Sequence, residues 1–507
     1  MSEQSSSPQA ALSQPPQSLP PAEIETAPAL PARQGQPRMT ATRHLARQDW
    51  APAALLFLLD LGSWFLIHGF TGLVRGDAYY SSPFVFFVVD SLMAAVIVIA
   101  LFTIGGYDRN TETRSLVYAT EHILAIISAG VVSAALIYSA AAFDQTMKPS
   151  RGVVLVSFLI FLPVSLHYRR LLRSRLAATI TDRAYLVIGS GDLAQRFYEV
   201  YKESPSREQL RFVTLNPEEV GRPLAGPRSP ILQGDLVSQL AAFDRSYSGI
   251  ILAEKPEALG PELLDRLVRT QFQRARVYTL ESFYESHWRY VPLDAVDPVW
   301  PLQTGFQLAR SSPYHYLKRL CDIGLAAGLL VISSPLLVLL ALLIWMTSGR
   351  PIFYQQERVG RGGQPFVLSK LRTMKNRRAA ESEEDIYTRK DDPRITPVGR
   401  WLRKLRLDEL PQLWNVFKGE MSLIGPRAEW TKCAERYETQ IPFYHFRHLV
   451  KPGITGWAQV NYPYGESDQD AIEKLKFDLY YIRRYSLKLD AMIALKTVHV
   501  MLFSRGQ

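Results

Sequence analysis

Four apolar stretches in the first third of the chain constrain its fold more than any other feature. They cover approximately residues 51–74, 82–105, 122–143 and 152–168. Each stretch is long enough, or nearly so, to cross roughly 30 Å of hydrocarbon as a helix. The pattern therefore predicts a bundle of four transmembrane helices over residues 49–175.

Basic residues flank these stretches asymmetrically. They are concentrated before the first stretch, between the second and third, and after the fourth, at Arg38, Arg43, Arg47, Arg109, Arg114, Arg169, Arg170, Arg173 and Arg175. The two other loops offer Arg75, Lys148 and Arg151. Because cytoplasmic loops are enriched in Lys and Arg, both ends of the bundle are predicted to lie in the cytoplasm.

The N-terminal segment, residues 1–48, has a different composition. It is rich in Ser, Gln, Pro and Ala and has almost no aromatic side chains. Such a segment cannot bury enough apolar surface to offset its ordering entropy, so it is predicted to be disordered. No apolar core follows the initial Met within the window expected for a signal peptide.

Length, charge and cysteine content narrow the class of protein. A chain of 507 residues is too long for one ordinary core and predicts two to four domains. A net charge of +10 indicates anionic partners, whether nucleic acid, lipid headgroups or phosphorylated substrates. Cys321 and Cys433 lie far apart in the sequence, which indicates neither a disulfide framework nor a zinc site.

Polar residues lie within or near the ends of the first two apolar stretches. Asp60, His68 and Asp90 are candidates for a transport role, because ionisable groups inside a membrane are often functional. The alternative is that each contacts a neighbouring helix or lies near the headgroups. A transporter would leave the motif-rich C-terminal part of the chain unexplained.

Residues 183–300 have the alternating pattern of an α/β domain. The apolar run 184–188 leads directly into a turn containing Gly189 and Gly191, followed by an amphipathic helix. This pattern predicts a Rossmann-like domain with a parallel sheet. The turn matches the dinucleotide fingerprint, in which glycines let the backbone approach a pyrophosphate. Asn216 stands where an acid would hold the ribose, so both nucleotide binding and a purely structural turn stay open.

A fifth apolar stretch, residues 317–346, has Ser334 and Pro335 at its centre. Proline lacks an N–H and clashes with the preceding turn, so the helix is predicted to break or bend sharply there. A full crossing would also place the basic C-terminal part outside the cell, against the positive-inside rule. The stretch is therefore predicted to be a re-entrant hairpin that enters one leaflet and returns.

Adjacent acids among several cations mark the C-terminal part of the chain. Asp408 and Glu409 closely follow a cluster of three basic residues, Arg403, Lys404 and Arg406. Phosphoryl transfer needs cations that balance phosphate oxygens and a carboxylate-bound metal that neutralises developing charge. It also needs a nucleophile, and a carboxylate can serve by forming an acyl phosphate. An isolated Asp-Glu pair is more often an exposed helix turn with mixed charges, but together with the basic loops of this region the pair suits phosphoryl transfer.

Four motifs carry a resemblance to a known family. They are Lys-Leu-Arg-Thr-Met at 370–374, Leu-Asp-Glu-Leu-Pro-Gln-Leu-Trp-Asn at 407–415, Gly-Pro-Arg at 425–427 and Pro-Gly-Ile-Thr-Gly-Trp-Ala-Gln-Val-Asn at 452–461. Residues 314–507 resemble the bacterial polyprenyl-phosphate sugar-1-phosphate transferases, which are monotopic phosphoglycosyl transferases that start exopolysaccharide and O-antigen repeat units. The bundle and the α/β domain resemble those of the long members of this family.

The resemblance implies a reaction and a set of roles. Asp408 would attack the β-phosphorus of a UDP-sugar and release UMP, and undecaprenyl phosphate would then take the sugar phosphate from the aspartate. Glu409 would help Asp408 to bind Mg²⁺. The resemblance implies phosphate contacts from Lys370, Arg372, Arg394 and Arg403, and a nucleotide pocket shaped by Pro426 and Arg427. Ala428 is like the long members that transfer hexoses, and we expect glucose first and galactose next.

The predicted fold is a multidomain membrane protein. It has a four-helix transmembrane bundle, a Rossmann-like α/β domain and a mainly α-helical catalytic domain (314–507) with a re-entrant hairpin. We expect a multi-pass protein of the bacterial inner membrane whose catalytic domain faces the cytoplasm. The expected partners are UDP-hexose, undecaprenyl phosphate and the lipid bilayer but no nucleic acid, and a homodimer is expected because soluble domains beside membrane bundles often pair. The alternative function is a nucleotide-sensing membrane regulator with an inactive transferase region.

Overall fold

The described residues cover most of the chain after its N-terminal segment. The computed structural model describes residues 50–75, 83–108, 111–143, 149–180, 184–204, 208–234, 236–241, 247–273, 276–297, 299–302, 305–306, 313–375, 392–462, 465 and 467–502. The segment 1–48, which the sequence predicts to be disordered, lies outside these ranges.

Four long helices form the first third of the described chain. They are α1 (Ala51–Arg75), α2 (Pro83–Thr103), α3 (Leu116–Ala140) and α4 (Arg151–Ile180). All four are long and apolar enough to cross a membrane. They contribute to one shared apolar core. Each predicted apolar stretch is confirmed as a helix, although α3 begins earlier and α4 ends later than predicted.

The acids within these helices have partners on neighbouring elements. The Asp60 carboxylate on α1 accepts hydrogen bonds from the hydroxyls of Tyr107 and Tyr168. It also forms an ion pair with Arg169 of α4, with an N–O distance of 2.6 Å. His68 of α1 lies 2.5 Å from Asp90 of α2. A buried charge without a partner is costly, so these contacts stabilise the packing of α1 against α2 and α4.

Residues 184–287 form an α/β region with a four-stranded parallel sheet. Its elements are β1 (Ala184–Ile188), α5 (Asp192–Glu203), β2 (Gln209–Val213), α6 (Leu236–Ala241), β3 (Tyr247–Leu252), α7 (Pro261–Gln273), β4 (Val277–Thr279) and α8 (Leu280–His287). The strand order is β2-β1-β3-β4, and each neighbouring pair is parallel. The central strand β1 is buried along its whole length. This is why its sequence is continuously apolar.

The fifth apolar stretch is a single helix, α9 (Tyr314–Ser348), which continues through Pro335. It too is long and apolar enough to cross a membrane. A complete break at Ser334 and Pro335 is therefore not observed. Proline at 335 leaves the carbonyl of Val331 without its helical N–H partner. The Ser334 hydroxyl donates to that carbonyl at 2.8 Å, which explains locally why the helix can continue.

The remaining elements surround the predicted acid pair. They are β5 (Phe353–Val359), β6 (Pro365–Leu371), α10 (Pro397–Lys404), α11 (Gln412–Lys418), β7 (Ser422–Ile424), α12 (Thr431–Gln440), β8 (Gly453–Thr455), α13 (Trp457–Asn461), α14 (Asp468–Arg483) and α15 (Leu487–Leu502). Strands β5 and β6 form an antiparallel hairpin, and β7 pairs in parallel with β8. The described part of this region contains more helix than strand, as predicted.

The C-terminal region contacts both of the other regions. Lys496 of α15 lies 3.7 Å from Glu121 of α3. The indole N–H of Trp457 donates to the backbone carbonyl of Arg289, which follows the α/β sheet, at 2.8 Å. Arg289 in turn lies 3.2 Å from Asp108, which follows α2. These contacts place the C-terminal region beside the end of the helical bundle that carries Asp108.

Candidate active site

The backbone turns sharply just before the acid pair. Arg406 adopts a left-handed conformation with φ of 52°, which is unfavourable for a residue with a Cβ. A single 3₁₀ turn, Leu407–Glu409, follows it. The side chain of Leu407 packs against a core that contains Leu371 and Leu402. The apolar side chain therefore anchors the turn while the two acids face a cationic environment.

Glu409 accepts hydrogen bonds from two cations. Its Oε1 lies 3.0 Å from the Nζ of Lys370 and 3.4 Å from an Nη of Arg427. Burial alone would raise the pKa of Glu409, but the charges of Lys370 and Arg427 lower it to about 2. Glu409 is therefore ionised at neutral pH and holds the two cations near each other.

Asp408 has a different environment from its neighbour. Only 8% of the residue is exposed. Burial raises the pKa of Asp408 above its usual value, with Lys370 and Arg403 acting in the opposite direction. Arg403 is held in place by donating from Nε to the hydroxyl of Thr373 at 2.9 Å. Because a raised pKa means a more basic carboxylate, Asp408 is better suited than Glu409 to attack an electrophile.

A small pocket adjoins the acid pair. Its lining includes Arg358, Lys370, Gln412 and Arg427. Arg358 donates to the backbone carbonyl of Ala428 at 3.0 Å, which fixes the guanidinium beside the Arg427 turn. Burial lowers the pKa of Lys370, while Glu409 acts in the opposite direction. Three basic side chains around one small pocket are an arrangement suited to phosphate oxygens.

Three other predicted site residues, Arg394, Pro426 and Arg372, make contacts of their own. Arg394 makes a bidentate contact with Asp392, with a closest distance of 2.5 Å. The Pro426 carbonyl accepts from the backbone N–H of Gly453 at 2.8 Å, which joins the two loops. Arg372 donates to the carbonyls of residues 348–350, at the end of α9. Of these three, Arg372 has its guanidinium engaged with backbone oxygens at the end of α9.

Sequence reasoning assigned no role to Arg358 or Gln412. Arg358 and Lys370 lie on the same face of the β5–β6 hairpin, since Arg358 pairs with Phe366 and Tyr354 pairs with Lys370. Alternate residues of a strand point to the same face, so the sequence of β5 places Tyr354 and Arg358 on one face. Only the register of the hairpin shows that Lys370 lies on that face too. Gln412 lies inside a recognised motif, yet a buried amide has no distinguishing signal in the sequence.

The predicted turn of the α/β region contains its own carboxylates. The Glu254 carboxylate accepts from the backbone N–H groups of Ser190 and Gly191 at 3.3 and 3.4 Å. The Ser190 hydroxyl donates to Glu219 at 2.5 Å. Gly189 has a φ of 132°, and a Cβ there would lie 2.8 Å from the carbonyl oxygen of Ala253. A phosphate at this turn would therefore have to displace Glu254.

Metal-ligating groups are sparse in the described part of the chain. No group of three or more His, Cys, Asp or Glu residues there is arranged to hold a metal ion. Asp408 and Glu409 supply two adjacent carboxylates, which are hard oxygen donors of the kind that Mg²⁺ prefers. Mg²⁺ is commonly held by one or two carboxylates together with substrate phosphates, so this pair fits the ion when a phosphorylated substrate completes the ligands.

The C-terminal region matches a known protein family. Residues 313–504 match the bacterial sugar transferase family. Over 260 residues the chain is 36% identical to the UDP-N-acetylgalactosamine-undecaprenyl-phosphate N-acetylgalactosaminephosphotransferase of Aeromonas hydrophila, covering 51% of this chain and 60% of that protein. Over 240 residues it is 38% identical to the UDP-glucose:undecaprenyl-phosphate glucose-1-phosphate transferase of Escherichia coli K12, covering 47% of this chain and 50% of that protein.

A third relative is covered more completely. Over 188 residues the chain is 42% identical to the UDP-glucose:undecaprenyl-phosphate glucose-1-phosphate transferase of Caulobacter vibrioides, covering 36% of this chain and 69% of that protein. The other two relatives are matched over half to three fifths of their length. The fold and the site define a membrane-associated protein with a cationic pocket beside paired carboxylates. The chain belongs to the bacterial sugar transferase family.

Proposed function

We propose that this protein transfers hexose-1-phosphate from a UDP-sugar to undecaprenyl phosphate and releases UMP. The observation that carries the proposal is the position of Asp408, a buried acid of raised pKa next to an ionised Glu409 that holds Lys370 and Arg427. The names of the relatives support the classes of donor and acceptor. Glucose is the favoured sugar and galactose is the next.

The proposed first step forms a covalent intermediate. A carboxylate oxygen of Asp408 attacks the β-phosphorus of the UDP-sugar. The bond between that phosphorus and the bridging oxygen of the diphosphate breaks, and UMP leaves with the electron pair. The product is a sugar-phosphoryl aspartate, as expected when a carboxylate acts as the nucleophile.

The second step regenerates the carboxylate. A phosphate oxygen of undecaprenyl phosphate attacks the same phosphorus, and the bond from phosphorus to the Asp408 oxygen breaks. Lys370 and Arg427 neutralise charge on the phosphate oxygens in both steps. Glu409 keeps these two cations in place, because its lowered pKa leaves the carboxylate ionised at neutral pH.

Mg²⁺ is the cofactor that we propose for this site. Asp408 and Glu409 would hold the ion, which would supply charge neutralisation at the diphosphate. Glu409 also contacts Lys370 and Arg427 through Oε1. Its second carboxylate oxygen has no hydrogen bond or ion pair among the described residues, so it offers a ligand without loss of those contacts.

The contacts of α9 support a re-entrant arrangement. At its start, Arg319 donates to the carbonyls of Val416 and Phe417 at 2.7 and 2.8 Å. At its end, the carbonyls of residues 348–350 accept from Arg372. Asn415, next to Val416, accepts from the N–H of Ser369, which lies three residues from Arg372, at 3.3 Å.

Both ends of this helix therefore contact neighbouring parts of one domain. A straight helix of 35 residues would extend about 52 Å, well beyond the roughly 30 Å hydrocarbon layer, and would separate its ends across the membrane. Between Ala326 and Leu340 no described residue of α9 is buried. We infer that this middle part enters the lipid and that the domain lies on the cytoplasmic side of the inner membrane, as the flanking cations predict.

This topology explains how one site reaches two dissimilar substrates. The sugar nucleotide is soluble in water, whereas the phosphate of the acceptor lies at the headgroup plane. A site on the domain that carries both ends of α9 lies near that plane. Basic side chains close to the surface also attract anionic lipid.

One assay tests the proposal directly. Purified protein, Mg²⁺ and undecaprenyl phosphate are incubated with a panel of UDP-sugars, and UMP release is measured for each. We expect release with UDP-glucose or UDP-galactose and a lipid-linked hexose diphosphate as the product. Absence of UMP release with every UDP-hexose would overturn the proposal and favour the regulatory alternative.

A further inference from the structure

Gln412 is a buried amide that lines the pocket. It begins α11, and only 4% of the residue is exposed. The pocket brings it together with Arg358, Lys370 and Arg427. Its side-chain amide makes no hydrogen bond to the residues that the structure describes, and it lines the pocket among these basic side chains. An amide in this position is available to donate to a ligand.

Asn415 provides a contrast within the same helix. Only 1% of Asn415 is exposed. Its amide N–H group donates to the carbonyl of Val367 and to Glu420, both at 2.7 Å. Its amide oxygen accepts from the N–H of Ser369 at 3.3 Å. Asn415 therefore holds β6 in place, whereas the buried amide of Gln412 has no comparable structural task.

The surroundings of Gln412 indicate which ligand group it meets. The pocket is lined by basic side chains. One of them, Lys370, lies close enough to Asp408 and Glu409 for its charge to act on the pKa of both carboxyl groups. An amide can add an N–H donor at such a place without adding another positive charge. Donors aimed at phosphoryl oxygens stabilise the negative charge that develops during transfer.

We propose that Gln412 is a catalytic residue of the transfer reaction, whose amide N–H donates to an oxygen of the phosphoryl group that moves onto Asp408. The inference rests on the proposed function and names one more group that touches the substrate. Lys370 and Arg427 balance the charge of the phosphoryl group, and Gln412 orients it toward the nucleophile.

Two variants of this residue test the inference. Q412M keeps the approximate length of the side chain and removes the donor. We expect kcat/KM for the UDP-sugar to fall on the order of 10²-fold, mainly through kcat, as for the loss of a donor to a developing charge. Q412E keeps the shape and adds a negative charge, so its loss at neutral pH should be larger than that of Q412M.

The pH dependence of Q412E separates a substrate contact from a packing role. A protonated glutamic acid has an O–H donor and no charge, whereas the ionised form repels phosphate. The ratio of Q412E activity to wild-type activity should therefore rise as the pH is lowered. Q364M alters a glutamine that is exposed at the turn of the β5–β6 hairpin, and it should leave kcat/KM unchanged.

The melting temperatures of variants at Asn415 and Gln412 separate a structural role from a substrate contact. N415L should lower the melting temperature, because it removes the hydrogen bonds that hold β6, whereas Q412M should leave the melting temperature near that of the wild type. An active wild-type chain with Q412M activity within threefold would overturn the inference alone, as would a Q412E ratio independent of pH. A wild-type chain that releases no UMP would overturn the proposed function and this inference together.

Discussion

Two turns of this chain have sequence signals for phosphate, and the structure gives them opposite surroundings. At the turn of the α/β region, the backbone donors of Ser190 and Gly191 already bind the carboxylate of Glu254. At the pocket beside Asp408, the lining contains three basic side chains, Arg358, Lys370 and Arg427. A phosphate must displace an internal anion at the first turn, whereas it meets basic groups at the second.

The difference shows that a phosphate-binding motif in the sequence predicts phosphate binding only when the charges of the side chains around it are known. Glycines at residues 189 and 191 allow a close approach of the backbone, but the side chain of Glu254 decides what approaches. In the catalytic region the acids organise the cations, because Glu409 contacts both Lys370 and Arg427.

The largest effect is expected from D408N. Loss of the nucleophilic carboxylate should reduce UMP release by about 10⁴-fold or more, as for other residues central to covalent catalysis. The wild type incubated with UDP-sugar but without acceptor should show a mass increase of one hexose phosphate, and D408N should show none. D265N changes an exposed acid on α7 and serves as the control. A D408N protein that keeps the adduct would contradict the assignment.

The pH profile should reveal the next largest effect. Asp408 must be ionised to attack, and its pKa is raised, so kcat/KM should increase as the pH rises through that value. Lys370 must be charged, and its pKa is lowered from 10.5, so kcat/KM should decrease again as the pH rises through its pKa. K370R keeps a charge at all accessible pH values and should lose the alkaline decrease. An unchanged alkaline limb in K370R would show that another group causes it.

Arg372 should influence stability more than substrate binding. Its hydrogen bonds to the carbonyls of residues 348–350 fix the end of α9. R372M should therefore lower the free energy of unfolding by about 3 kcal/mol, since hydrogen bonds from charged groups are stronger than average. Thermal unfolding in detergent measures the change, and KM for the UDP-sugar should stay within twofold. A tenfold rise in KM at unchanged stability would instead support the phosphate contact predicted from the sequence.

The smallest effect concerns the turn of the α/β region. We expect the wild type to bind NAD⁺ with a Kd above about 1 mM, because Glu254 occupies the backbone donors. E254A should increase the affinity for NAD⁺ by about tenfold, which corresponds to about 1.4 kcal/mol, and should leave UMP release unchanged. Micromolar binding by the wild type, measured by calorimetry, would show that Glu254 moves aside for a nucleotide.

Much of the fold follows from local sequence patterns. Apolar length predicted the first four helices, since a stretch such as 82–105 has few structural alternatives. The continuous apolar run of β1 predicted a strand covered on both faces. The continuation of α9 through Pro335 was harder to predict, because a side-chain hydrogen bond replaces the backbone hydrogen bond that proline cannot make. The Ser334 hydroxyl donates to the carbonyl of Val331, and propensity alone gives no measure of such a contact.

The acids at 408 and 409 could be recognised from the sequence, because adjacent carboxylates among cations have few other uses in such a motif. Their different electrostatic environments required the structure. Glu409 is ionised by contact with two cations, whereas burial raises the pKa of Asp408. Lys370 acts on both carboxylates and Arg427 acts on Glu409, and these two cations lie far from the acids along the chain.

The sequence by itself determined the long apolar helices and the α/β region, and it singled out the acid pair as a candidate site. These features depend on composition and spacing over short segments, where periodicity and charge are directly visible. The tertiary structure alone decided that Arg358 joins Lys370 at the pocket, that Arg372 contacts the end of α9, and that Glu254 fills the glycine turn. These outcomes depend on strand register and on contacts between distant residues, which no local pattern specifies.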